Sequence, residues 1–150
     1  RPPVLVIAVG NPSRGDDAIG PELAARLEAA SLPGVEVISE FQLQVESALD
    51  LVGRERVIFV DAGTGTPAPF ELRRAAASPD FLHTSHALAP EAVLATYRRV
   101  TGNEPPEAWV LCVRGESFEL GEGLSAAVAA HLEAAWSALQ RLMPGSPERD

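Results

Sequence analysis

The chain has 150 residues, 46% of them apolar and 22% charged, with a net charge of -9. That length and balance suit one soluble globular domain with a full core. The acidic excess argues against nucleic acid or an anionic membrane surface as partner, since either would call for a basic footprint, and Arg73-Arg74 and Arg98-Arg99 are the only basic pairs.

No apolar run reaches the roughly 20 residues needed to cross a bilayer. The sequence begins without a basic segment, an apolar segment and a cleavage site in series, which argues against secretion. The single Cys112 has no internal disulfide partner. This suits a reducing cytoplasm.

Val4 to Val9 reads as a buried strand, short, rich in β-branched residues and closed by Gly10. Ile19, Leu23, Ala24 and Leu27 recur at helical spacing, so a helix is expected over roughly Asp17 to Ala30, with Pro21 tolerated in its first turn. Leu32-Pro33-Gly34 is a turn, and Val35 to Phe41 a second strand. Val45 to Val52 is a short helix ended by Gly53, and Arg56 to Val60 a third strand. Asp61 to Pro69 is loop by composition. Phe70 to Arg73 is a short strand, and Ala75 to Ala89 is irregular. Pro90 to Val100 is a helix, Ala108 to Val113 a strand, Arg114 to Gly123 a loop, and Leu124 to Leu142 a long amphipathic helix. A disordered tail is expected from Pro144 to Asp150.

Near-continuously apolar strands alternating with helices indicate a single doubly wound α/β domain over residues 1–143. Its sheet is five-stranded and mostly parallel, with helices on both faces. Ligands of such folds sit at the carboxyl ends of the strands. The loops to search are therefore Gly10 to Asp17, Phe41 to Gln44, Asp61 to Pro69 and Arg114 to Gly123.

The first of these loops is not built for a phosphate. Gly10 and Gly15 have neither the spacing of a dinucleotide-binding turn nor the lysine that follows a phosphate-binding loop. Asp16 and Asp17 stand there instead, and carboxylates repel a pyrophosphate. One acid can cap the helix and both favour its positive end. Adjacent helical residues point in different directions, so Asp16 is assigned the cap and Asp17 the cleft. Asp61 follows Val-Ile-Phe-Val, and two roles fit it equally: an Asx-turn holding the Gly63-Thr64-Gly65 loop, or a carboxylate facing the ligand crevice.

His83 and His86 lie in Leu82-His-Thr-Ser-His-Ala, and His86 precedes a helix by a few residues. His131, between Ala130 and Leu132, reads as exposed or structurally satisfied. Two aspartates and a histidine on three strand-end loops would make an oxygen, oxygen, nitrogen set suited to nickel, zinc or iron. No HExxH or CxxC supports it locally. Cys112 reads as a buried structural thiol, and Ser13 lacks the G-x-S-x-G elbow of a nucleophilic serine.

The chain resembles the nickel-iron hydrogenase maturation proteases. Their opening signature, an apolar strand then G-N-x-x-x-x-D-[DE]-x-[IVL]-G, is met by Gly10-Asn11-Pro-Ser-Arg-Gly-Asp16-Asp17-Ala-Ile-Gly20. An aspartate ending the third strand is met by Asp61, and a histidine after Ser or Pro just before a helix by Ser85-His86-Ala-Leu. Gln42-Leu-Gln-Val-Glu46 resembles a Q-L-x-x-E seen in part of the family. Phe118-Glu-Leu-Gly-Glu-Gly-Leu-Ser125 resembles its late F-x-x-G-x-G-L-S loop. The match runs over nearly the whole chain in order. Position 17 is Asp where some members have Glu, and position 18 is Ala where Gly is common.

The resemblance implies an endopeptidase that trims the C-terminus of the hydrogenase large-subunit precursor after nickel insertion. Asp17, Asp61 and His86 would contact the nickel and serve catalysis. Asn11, Asp16 and Gln42 would bind substrate. It implies no cofactor of the enzyme's own, only the nickel carried by the substrate, whose place another divalent metal could take in crystals. The expected partner is the nickel-loaded precursor, met by a cytoplasmic monomer. Hydrolysis could be aspartic-type, with a carboxylate activating water, or assisted by the nickel itself. The rival readings are a nucleotide- or metal-binding α/β module without chemistry, and a chaperone for the precursor.

Overall fold

Val4–Val9 is apolar at every position because both of its sides are covered. In the computed structural model, which describes residues 1–78 and 88–146, this run is strand β1. It is followed by α1 (Ile19–Ala30), β2 (Val35–Glu40), β3 (Arg56–Gly63) and β4 (Phe70–Ala75). Helix α2 (Pro90–Thr101), β5 (Glu107–Arg114) and α3 (Ala129–Arg141) complete the order. The strands form one sheet in the order β2-β1-β3-β5-β4. Neighbours are parallel except β4, which runs antiparallel to β5 at one edge.

Successive strand residues leave opposite faces, and the sequence sorts accordingly. Val4 and Val6 of β1, Ile58 and Val60 of β3, and Leu111 and Val113 of β5 enter one apolar cluster, which α1 closes with Ile19, Leu23 and Leu27 and α3 with Leu132, Ala135 and Leu139. Leu5 and Ile7, Val57 and Phe59, and Ala108 and Val110 enter the other. Helix α2 covers that face with Val93, Leu94 and Tyr97, beside Ala48 and Leu51. Helices therefore lie on both faces of a mostly parallel five-stranded sheet, as the pattern of the sequence requires.

Several boundaries differ from the sequence expectation. Gly15–Ala18 is a 3-10 turn, and α1 starts only at Ile19. Val45–Leu51 is a 3-10 helix capped by Gln44 and Ser47. Strand β3 runs on to Gly63 because β5 lies beside it as far as Arg114, so Asp61 sits within a strand and not at the head of a loop. The last helix begins with a 3-10 turn at Ala126–Val128 and becomes α-helical at Ala129. The residue before it, Ser125, is extended, and its backbone N–H and hydroxyl are both donated to Asp16. No helix among the described residues is long and apolar enough to cross a membrane.

Gly20 sets how closely α1 approaches the sheet. A Cβ there would stand 2.5 Å from the Val9 carbonyl oxygen and 3.2 Å from that of Val60. Both neighbours are backbone, so the helix would have to move. Gly20→Ala is expected to lower stability by about 1–3 kcal/mol, read as a lower melting temperature. An unchanged melting temperature would show that α1 can shift freely.

Candidate active site

From β1 the chain crosses to β2 on one side, and β3 then pairs on the other side of β1. The carboxyl ends of β1 and β3 are thus the switch point at which open α/β sheets leave a crevice. Asp17 follows β1 and Asp61 lies near the end of β3.

The β1 loop folds tightly on itself. Gly10, at φ +151°, has the Asp17 backbone carbonyl where a Cβ would be. The Asn11 backbone N–H donates to Asp17 Oδ2 at 2.7 Å, and Asn11 Oδ1 accepts from the Ser13 N–H at 2.9 Å. Asn11 therefore shapes the turn that presents Asp17, and Asp17 keeps part of its surface accessible.

Asp61 is half-buried. Its Oδ1 is shielded from solvent and has no hydrogen-bond partner among the described residues. Burial pushes its carboxyl up to about 6. The Cys112 thiol beside it draws it down, the like charge of Asp17 raises it, and Arg73 lowers it again. A carboxyl that titrates near neutrality in a crevice is a chemical candidate in its own right.

Asp16 does not cap α1. Neither the 3-10 turn nor α1 has a side-chain cap bond. Its carboxylate is wholly buried and turns to the loop after β5. Oδ2 accepts the N–H groups of Glu116 at 2.7 Å and Ser117 at 2.9 Å and the Ser125 hydroxyl at 2.8 Å, while Oδ1 accepts the Ser125 N–H at 2.7 Å. Backbone bonds tie the same two loops together: Asp16 N–H to Ser117 O, Gly15 N–H to Glu122 O, and Gly121 N–H to Ser13 O. Asp16 has no accessible surface in this conformation, and its place corrects the capping role expected of it. It fixes one wall of the crevice.

Gln42 is exposed on the segment after β2, next to Phe41, also exposed at 71%. The β1 loop adjoins that segment through the Gly10 N–H, which donates to Glu40 O. His83 and His86 lie outside the described residues. The ring of His131 bonds to the Arg114 carbonyl at 3.1 Å, a structural role.

Sequence reasoning set Cys112 aside as a buried structural thiol and passed over Thr66; Cys112 is in fact only half-buried. Cys112 is the register neighbour of Asp61 on β5, and Thr66 Oγ1 lies 3.3 Å from its sulfur. The only hint in the sequence was that Cys112 lies near the carboxyl end of its strand. Among the described residues no three His, Cys, Asp or Glu side chains form a cation site.

Neither a protein-family model nor a curated protein sequence matches the chain. Solved structures do. The hydrogenase maturating endopeptidase HybD from E. coli superposes with a TM-score of 0.71 at 26% identity, over 91% of this chain and 88% of that one. The hydrogenase 2 maturation peptidase from a Thaumarchaeota archaeon matches at 29% identity with a TM-score of 0.65, over 91% of this chain and 94% of that one. The NiFe hydrogenase maturation protease HybD from Thermococcus kodakarensis shares the fold at 20% identity with a TM-score of 0.69, over 93% of this chain and 97% of that one. In structure, and over nearly its whole length, the chain is similar to the nickel-iron hydrogenase maturation proteases.

Proposed function

We propose that the chain is an endopeptidase that removes the C-terminal extension of a nickel-iron hydrogenase large-subunit precursor once nickel is in place. The observation that carries this reading is Asp61. It is a shielded carboxylate with an oxygen that has no partner among the described residues, at the switch point and close enough to Asp17 for their charges to interact, on a fold shared with named maturation endopeptidases.

Asp17 and Asp61, joined by His86 on the resemblance of Ser85-His86-Ala-Leu, contact the nickel that the precursor carries. The enzyme holds no metal of its own. A carboxyl near 6 is a competent base around neutral pH. In the proposed step Asp61 takes a proton from the attacking water as its oxygen bonds to the scissile carbonyl carbon. That proton passes to the amine as the peptide bond breaks. Nickel held by the two aspartates would polarise the same carbonyl or water.

Exposed apolar side chains flank the crevice: Phe41 at 71%, Leu120 at 66% and Leu124 at 37%. Leu120 pairs with Arg14 of the β1 loop. Such residues suit a polypeptide substrate, docked transiently on a cytoplasmic monomer. Phe41→Ser and Leu120→Ser are expected to raise KM about three- to tenfold with kcat nearly unchanged; a fall in kcat at constant KM would remove the docking role.

The deciding experiment incubates the chain with its cognate large-subunit precursor, with and without nickel, and weighs the products by mass spectrometry. Loss of a defined C-terminal peptide from the nickel-loaded sample alone is expected. Complex formation with no loss of mass would make the chain a chaperone for the precursor.

A further inference from the structure

Cys112 is the chain's single cysteine. It stands beside Asp61 in the parallel register of β3 and β5, so the two side chains leave the sheet on the same face. The sulfur lies 3.3 Å from Thr66 Oγ1. Thr66 is itself held in place, because Arg114 Nη1 donates to its carbonyl at 3.3 Å. The Arg114 N–H donates to Pro69 O at 3.1 Å and the Gly115 N–H to Gly63 O at 3.0 Å, closing the turn that carries Thr66. Gly63 leaves the necessary gap: a Cβ there would stand 2.5 Å from the Cys112 sulfur and would overlap Thr66 Oγ1. Thiol, hydroxyl and glycine thus form one packed group directly against Asp61.

The neighbouring carboxylate has an oxygen that none of the described residues engages. A carboxylate held in one orientation presents its oxygens to a cation without first having to be ordered.

We propose that Cys112 is a positioning residue for Asp61. Its S–H, aimed by the Thr66 hydroxyl, is donated to the carboxylate and holds it in one orientation toward the cation the substrate brings. The inference rests on the role given to Asp61 in the proposed function. The donor order is consistent. A threonine hydroxyl has one proton, and donating it to sulfur leaves the thiol proton for the carboxylate.

Two readouts test this, one of them independent of activity. Because the chain has one cysteine, its infrared S–H stretch reports Cys112 alone. Asp61→Asn and Thr66→Val are each expected to shift that band, whereas a distant change such as Val100→Ala leaves it in place. In the cleavage assay Cys112→Ala is expected to lower kcat about tenfold with KM within twofold of wild type. Cys112→Ser, which restores a donor, should recover most of that loss. Thr66→Val should add little in the Cys112→Ala background, since both act through one contact. An S–H band indifferent to Asp61→Asn, or a Cys112→Ala enzyme with wild-type kcat, would overturn the inference. Failure of the wild-type chain to cleave any precursor would instead strike the proposed function, and the S–H band would still decide the contact.

Discussion

Asp61→Asn is expected to reduce cleavage of the nickel-loaded precursor by about 10²–10⁴-fold, the usual range for loss of a positioned base, while making the folded protein more stable at neutral pH. The amide keeps the shape of the side chain and gives up the charge that burial penalises. The rise in the Asp61 pKa from 3.8 to about 6 corresponds to a penalty of up to about 3 kcal/mol. The folded-state pKa of this acid lies above its unfolded value. The penalty is therefore present in full above about pH 6, shrinks as pH falls towards 4, and is gone below that. The stability gain of Asp61→Asn should follow the same course, largest at pH 7 to 8 and absent in acid. Chemical denaturation across that pH range checks it beside the cleavage assay. A variant that cleaves at the wild-type rate would sink the catalytic role. A stability difference that ignores pH would mean that burial does not penalise the Asp61 charge.

The fold was legible where the information is local. The uninterrupted apolar runs Val4–Val9 and Val57–Val60 report strands covered on both faces, and the sheet places them there. Pro90 opens its helix as its fixed φ and missing N–H dictate. Contacts between distant segments were not legible. Asp16 looks like a helix cap because local rules favour an acid at a helix start, but its partners lie 100 to 109 residues further on. The late onset of α3 has the same origin, since Ser125 is held by Asp16. Strand β3 outruns its apolar stretch only because β5 offers partners as far as Arg114. Cys112 became a neighbour of Asp61 through register, which no spacing in the sequence encodes. The pair Asp17 and Asp61 came from the strand-end rule and from family resemblance together. The third proposed member of that set, His86, lies outside the described residues and rests on resemblance alone.

Asp16→Ala is expected to be the most destabilising single change at the crevice, costing about 3–5 kcal/mol. The carboxylate is fully buried, and its removal strips the acceptor from three backbone N–H groups and one hydroxyl at once. Asp16→Asn is no remedy, because an amide would turn an NH₂ group toward donors where an oxygen is required. Burial alone would raise the Asp16 pKa. The bonds from the N–H groups of Ser125, Glu116 and Ser117 and from the Ser125 hydroxyl outweigh it and hold the pKa below 3.8. The sign is thus opposite to that of Asp61. The stabilisation by Asp16 is complete above the unfolded-state pKa and fades as pH falls through the lowered folded-state value. Wild type and Asp16→Ala should therefore differ most near neutrality and converge in strong acid. Urea denaturation measures the loss. Amide exchange at Glu116, Ser117 and Ser125 should quicken more than exchange in β1 if the loop detaches before the core opens. A loss under about 1 kcal/mol, or exchange unchanged at those three amides, would show that the backbone ladder between the loops holds without the carboxylate. The two acids divide the work of the crevice: Asp16 gains from its charge and fixes the wall, and Asp61 bears the strain of its charge and faces the chemistry.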